Sequence, residues 1–308
     1  YTGYDVSYLL DMIRNQKNYY LSFKIPKNSD SKKYRKINSP TTDLKIIQRW
    51  ILTNILEKNE VSPYAKAYKK HTSLNDNVKF HRRQEVVLKI DFEDFFGSLT
   101  IKYVVCFFKK IGYSKNVAFM LARLCTLNDS LPQGAVTSPM LSNLLLNNFD
   151  EKVFEFCRTK SLRFSRYADD LTFSGRKSDL DKNQILEYVK KCASDLKLRI
   201  NPSKTKLLYS NSRQVITGIV VNDKLQVSAK KRKKIRSEIY YIKKYGLSDH
   251  LVKSNCFTYV DSDVEEMYLR SLLGKIGHAL MINNKDTELR GYYNYIIELL
   301  TIIKVSKE

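Results

Sequence analysis

Acidic residues are scarce in this chain. Over 308 residues, 32 Asp and Glu stand against 54 Lys and Arg, a formal net charge of +22. A surplus of that size excludes an ordinary near-neutral surface and calls for a polyanionic partner, nucleic acid or, less commonly, an anionic membrane face. Long apolar runs are missing as well. Hydrophobic residues make up 43%, yet no stretch approaches the ~20 apolar residues that a membrane-spanning helix needs. No charged-then-apolar leader opens the chain, and a first residue of tyrosine leads us to expect that native residues precede it. The five cysteines (Cys106, Cys125, Cys157, Cys192, Cys256) are odd in number, far apart and without a CxxC pair. That argues against a disulfide framework or a zinc site and for reduced thiols in a cytosol. The four histidines show no ligand spacing. Neither a Gly/Ser linker nor a repeat of fixed period divides the chain, whose length allows two or three packed units.

What is present is aromatic and basic. Twenty-one tyrosines and 14 phenylalanines supply rings that can stack on bases, which favours nucleic acid over membrane. The basic stretch "NSDSKKYRKINSP" (28–40) reads as a loop or edge hairpin. In "TTDLKIIQRWILTNIL" (41–56), Leu44, Ile47, Trp50, Ile51 and Ile55 share one helical face. The run Val86–Ile90 reads as a buried strand ending at Asp91. Two helices broken near Gly112 follow over 101–125. After the loop "LPQGAVTSP" (131–139), Ser138 as N-cap and Pro139 in the first turn open a helix with Leu141, Leu144, Leu145, Phe149, Val153 and Phe156 at core spacing. A hairpin at 163–175, a helix near 178–196 and the strand "QVITGIVV" come next. From about Lys230 the pattern is helical to the end, with "KKRKKIR" (230–236) at its entrance.

The hairpin "RFSRYADDLTFSG" carries adjacent carboxylates, Asp169 and Asp170, where the rest of the chain is basic. On a straight strand the two would point to opposite faces, whereas at a tight turn both can serve one site. Such a pair alone is usually the mark of a solvated turn. Asp91 at a strand end adds a third carboxylate. Three carboxylates meeting at one sheet edge can hold two Mg²⁺ ions, which prefer oxygen ligands and leave room for phosphate. Two such ions stabilise both the attacking and the leaving oxygens of phosphoryl transfer.

"DFEDFF", "LPQGAVTSP", "YADDLTFSG" and "LRINPSKTK", between about Tyr34 and Val221, resemble in order and spacing the characteristic blocks of reverse transcriptases. The resemblance implies an α+β right-hand polymerase. Its fingers would span residues 1–84. Its palm, with an antiparallel sheet and the YADD hairpin, would span 85–228, with a helical fingers contribution around 101–130. A helical, RNA-binding thumb would span 229–308. Asp91, Asp169 and Asp170 would be the catalytic, metal-binding carboxylates, holding two Mg²⁺ ions or Mn²⁺ in their place. Phe96, five places after Asp91, would exclude the ribose 2′-hydroxyl. Gln133 and Gly134 would contact the incoming deoxynucleoside triphosphate and template, with Gly134 permitting close backbone approach. Arg35 and Lys204 would offer cations to the triphosphate.

The layout most resembles the retron group of bacterial reverse transcriptases, whose members copy part of their own structured noncoding RNA into branched single-stranded DNA and act against phage with a separate effector protein. Two departures stand out. Ile216-Thr217-Gly218 replaces a typical Val-Thr-Gly, and 101–130 holds no histidine for an Asn-Ala…His signature. Abortive-infection-type defence enzymes share the same core. A catalytically idle RNA-binding scaffold is a further alternative, against which three mutually repelling carboxylates argue. A template-independent polymerase remains open at this level, and a group II intron enzyme fits poorly because the chain ends soon after the thumb. Lys230, Lys231, Arg232, Lys233, Lys234, Arg236, Tyr240 and Tyr241, with Tyr245 beyond them, are the candidates for gripping the cognate RNA. The expected location is the cytoplasm, with no membrane partner.

Overall fold

The structure is a computed structural model that describes residues 3–27, 34–253 and 261–305. Its Cα packing forms two compact units, one from 1–77 and 84–209, the other from 78–83 and 210–308. Among the described residues no helix is long and apolar enough to cross a membrane.

In the first unit, strands β1 (Tyr20–Pro26) and β2 (Tyr34–Pro40) pair antiparallel, from Tyr20 opposite Pro40 to Pro26 opposite Tyr34. Residues 28–33 of the basic stretch lie outside the described residues. The helix Thr42–Asn54 buries Leu44, Ile47 and Ile51, with Trp50 half-buried and Ile55 buried just beyond its end. The same helix buries Gln48 completely. Its amide donates to the Tyr20 hydroxyl (2.8 Å) and to the Leu124 carbonyl (2.9 Å), and accepts from the Val136 N–H (3.0 Å). A buried amide with both ends used joins the hairpin, the helix Lys115–Cys125 and the 131–139 loop.

The central sheet is built on β3 (Val86–Glu93). One side of β3 pairs with β5 (Asp170–Gly175), which pairs in turn with β4 (Arg163–Tyr167); the other side takes the short β6 (Arg199–Ile200) and β7 (Lys206–Tyr209), all antiparallel. Alternation puts Val86, Leu88, Ile90 and Phe92 on one face, all buried, in one core with Leu171 and Phe173 of β5. Val153, Cys157, Ile185 and Val189, from the helices Asn147–Thr159 and Lys182–Ser194, belong to that core too. Val87, Lys89 and Asp91 fall on the opposite face.

Several local expectations are corrected. β3 runs through Asp91 to Glu93, because β6 continues the ladder opposite Phe92 and Glu93. Thr137, not Ser138, precedes the helix Ser138–Leu145, since the Ser138 hydroxyl donates instead to the Pro132 carbonyl (2.8 Å). That helix stops at Leu146 and a second begins at Asn147, where the Asn147 side chain accepts from Ser62 N–H (2.9 Å) and donates to the Glu60 carbonyl (2.8 Å). The helix expected near 178–196 spans Lys182–Ser194, with Asp181 accepting from the Asn183 and Gln184 N–H groups at its start.

The second unit opens with β8 (Val215–Ile216), β9 (Ile219–Val220) and β10 (Gln226–Val227). The turn between the first two is Thr217-Gly218, both at positive φ (46° and 83°), so "VITGIVV" is a hairpin where the sequence reads as one strand. Helices Ala229–Tyr245, Leu247–Lys253, Ser262–Ile282 and Thr287–Val305 follow.

Candidate active site

The YADD segment is a hairpin with a two-residue turn. Tyr167 closes β4 opposite Asp170 of β5, leaving Ala168 and Asp169 at the tip, and Ala168 takes a left-handed φ of 57°. Asp170 lies in register with Asp91 on β3, so both side chains rise from the same sheet face. Two further bonds close this end of the sheet: Phe92 N–H donates to the Asp169 carbonyl (3.2 Å) and Asn201 N–H to the Asp91 carbonyl (2.8 Å). The ladder therefore brings residues nearly eighty positions apart to one point.

Crowding shows in the proton affinities. Burial first, then Asp169 and Asp91, push the Asp170 carboxyl up to about 6 against the pull of Lys89. Burial and Asp91 likewise raise Asp169, with Lys204 and Arg35 pulling it down. The Lys204 ammonium donates to both oxygens of Asp91 at 2.8 and 2.9 Å. Burial, the largest single influence, lowers its affinity for protons, but the Asp91 hydrogen bond and the charges of Asp91, Asp169 and Asp170 together outweigh that and leave it raised. Among the described residues no three His, Cys, Asp or Glu side chains form a ready-made metal cage. The donor set nevertheless suits a hard divalent cation: three carboxylate groups, two of them electrostatically unfavourable as ions, and a third already neutralised by a cation from within the chain.

Beside this group lies a cavity of about 650 Å³, whose lining includes Arg35, Phe96, Gln133, Asp169 and Lys204. Phe96 is half-buried, 5.3 Å from the Phe95 ring and 6.4 Å from Tyr68. Gly134 sits at φ 120°, and a Cβ there would lie 2.8 Å from the Asn38 carbonyl oxygen and from Ile37 Cγ2. The close approach it permits is to β2, where Asn38 N–H also donates to the Gln133 carbonyl (2.8 Å). The 131–139 loop and the strand carrying Arg35 are thereby joined backbone to backbone.

In the second unit, Lys230, Lys233 and Lys234 line a cavity of about 640 Å³ with Tyr241, Tyr245 and His250. The three rings run nearly parallel, with centroids 6.1 Å apart at each step. Tyr240 is exposed beside Tyr241, and Lys231 is exposed. The two arginines of this stretch differ. Arg232 binds Asp286 and Glu288, and Arg236 donates to Glu288 at 2.7 and 3.0 Å. Arg236 and Arg232 hold the Glu288 carboxyl down to about 2.

Several site neighbours were missed from sequence. Arg166, Asp150 and Asn143 are wholly buried beside the hairpin, and Tyr68 lines the cavity at a left-handed φ of 57°. The signal for Arg166 was alternation: in β4 it shares a face with Phe164, so a cation was being placed into core. An Asn…His pair does precede β3, at Asn77 and His81, both completely buried. Asn77 accepts from the Ser165 hydroxyl on β4 (2.8 Å).

The family model described as reverse transcriptase (RNA-dependent DNA polymerase) matches residues 25–259, and the chain belongs to that family; it is an RNA-directed DNA polymerase. Its relatives are retron enzymes, and the chain is a retron-type reverse transcriptase. It is 34% identical to the retron Ec86 reverse transcriptase of Escherichia coli, over 72% of this chain and 70% of that one. Against the retron Se72 enzyme of Salmonella heidelberg it is 28% identical, over 94% and 75%. Against the retron Mx162 enzyme of Myxococcus xanthus it is 32% identical, over 66% of this chain and 47% of the relative. A telomerase from Candida tropicalis is similar at a TM-score of 0.49 and 11% identity, covering 94% of this chain and 65% of that one, a likeness too loose to carry argument.

Proposed function

We propose that the chain binds a cognate structured noncoding RNA and copies part of it into single-stranded DNA, in the cytoplasm, as the polymerase of a retron that acts against phage with a separate effector protein. The observation that carries the catalytic part is the register of Asp170 with Asp91 at the YADD turn, with Lys204 already clamped on Asp91. In this reading the fingers span 1–84, the palm 85–228 with helices from 101–130 leaning to the fingers, and the thumb 229–308.

Asp91, Asp169 and Asp170 would hold two Mg²⁺ ions, or Mn²⁺ in their place, which when bound supply charge stabilisation to the attacking and leaving oxygens. The remaining work falls to side chains. Lys204, released from Asp91, and Arg35 neutralise the triphosphate of the incoming deoxynucleotide. Phe96 fills the space that a 2′-hydroxyl would need. Gln133 presents its side chain to the nucleotide, while Gly134 serves indirectly by seating its loop on the strand that bears Arg35.

RNA is held by the thumb. Lys230, Lys231, Lys233 and Lys234 neutralise phosphates, and Tyr240 and Tyr241 offer ring faces to unpaired bases. Arg232 and Arg236 act from behind, tying the basic helix to Asp286 and Glu288.

The test is to express the chain with its flanking genomic DNA, as wild type and as Asp169→Asn/Asp170→Asn, and to resolve the co-purified nucleic acid on denaturing gels after RNase or DNase. A discrete RNA with both proteins, and a discrete DNA with wild type only, is expected. Smears or no nucleic acid would remove the self-templating retron reading, and loss of RNA from a folded mutant would remove the separation of the two sites.

A further inference from the structure

Arg166 and Asp150 are both 0% exposed. Arg166 Nε and Nη2 each donate to one Asp150 oxygen at 2.7 Å, and Nη1 donates to Asn143 Oδ1 (3.1 Å) and to the Ala168 carbonyl (3.2 Å). The backbone of the same residue is held as well. Its N–H donates to the Tyr64 carbonyl (2.9 Å), and its carbonyl accepts from Lys66 N–H (2.8 Å). Asn143 completes the knot by donating to the Ala67 carbonyl (2.9 Å). Three pieces therefore meet on one guanidinium, the helix bearing Asn143, the helix bearing Asp150 and the Ala168–Asp169 turn, while the segment leading to Tyr68 is held by the backbone of Arg166 and by Asn143.

Both chain segments end in left-handed residues next to the carboxylates. Ala168 directly precedes Asp169, and Tyr68 is close enough for Asp169 to raise its phenol, after burial. Non-glycine residues keep such backbone only where the surroundings over-determine it. A buried ion pair is a poor source of stability, because an apolar pair of similar volume often serves as well. What a forked guanidinium adds is direction.

We infer that Arg166, itself fixed by Asp150 and Asn143, is a positioning residue. By holding the Ala168 carbonyl it aims Asp169 and Asp170 at Asp91, and by holding the 64–67 backbone it sets Tyr68 as the facing wall. It acts through the backbone and touches no reacting atom. The inference rests on the three aspartates forming a cation site.

The experiment uses the full chain as wild type, Arg166→Lys, Arg166→Met/Asp150→Leu and Asp169→Asn/Asp170→Asn. Folding is read by thermal melting, Mn²⁺ affinity by electron paramagnetic resonance without nucleotide, and the Mg²⁺ requirement by dTTP incorporation on poly(rA)/oligo(dT). The Met/Leu pair is expected to melt near wild type while its Mn²⁺ affinity falls and its Mg²⁺ requirement rises by about 10- to 100-fold, as for other outer-shell partners of metal sites. Arg166→Lys, which keeps the charge but not the fork, is expected to fall between. A folded Met/Leu variant with wild-type Mn²⁺ affinity would overturn the inference. Should that variant not fold, a folded Arg166→Lys protein with unchanged affinity decides against it equally. Wild-type affinity in Asp169→Asn/Asp170→Asn would instead refute the cation site, and the inference with it.

Discussion

Replacing Asp170 by Asn, nearly the same shape without the charge, is expected to raise stability while abolishing DNA synthesis. Burial and the neighbouring carboxylates lift the Asp170 carboxyl from 3.8 to about 6. Taken whole, that rise corresponds to at most ~3 kcal/mol. The group is partly exposed, and solvent screening brings the working figure to ~1–2 kcal/mol. A carboxyl whose folded-state value lies above its unfolded value makes the folded chain bind extra protons between the two. Stability is then complete below the unfolded value, falls as pH rises through about 6, and stays low above it. Asp169 is raised too and acts in the same sense. At pH 8 in EDTA, Asp170→Asn should melt roughly 2–3 °C above wild type, and the gap should close toward pH 4. Added Mg²⁺ should reverse the order, since a ligand that binds only the native wild-type site stabilises it by mass action. Circular dichroism melts at both pH values, with and without Mg²⁺, read this directly. A variant no more stable than wild type at pH 8, or a gap that persists at pH 4, would refute the reasoning.

Phe96→Ala should lower discrimination against ribonucleotides by roughly 10- to 100-fold, measured as the ratio of dNTP to rNTP incorporation efficiency; an unchanged ratio would take Phe96 out of the sugar site. Gly134→Ala puts a Cβ 2.8 Å from the Asn38 carbonyl oxygen at a φ of 120°. It should cost ~1–3 kcal/mol and raise the KM for dNTP by displacing β2 and Arg35, and normal melting with normal KM would show that the loop tolerates the methyl. Arg236→Ala should lower the melting temperature, since Glu288 loses its two-bond partner and keeps only Arg232 and Tyr292, but leave the salt dependence of RNA binding unchanged. Lys233→Ala/Lys234→Ala should flatten that dependence by about one unit of slope per lysine. The opposite pattern would exchange their roles.

The chemistry was legible in the sequence because its signals are local. A β-branched run before Asp91, two carboxylates in a turn and a Ser-Pro after a glycine loop need only their neighbours to be read. The charge of +22 pointed to a polyanion without any fold at all. Helix existence was legible too, while ends were not: the break at Leu146 falls beside Asn147, whose side chain meets Ser62 and Glu60, more than eighty residues away in the chain.

Partnership was decided by tertiary structure alone. The six cations of the 230–236 stretch read alike in sequence, and only packing against Asp286 and Glu288 separates the two arginines from the lysines around them. Gly134 read as room for a ligand, and the fold uses that room for the backbone of β2. Lys204 read as a phosphate cation, and folding places it on Asp91, 113 positions earlier. Composition and spacing select which groups are available. Which of them meet is set by sheet register and by the burial that makes an unpaired charge too costly to leave alone.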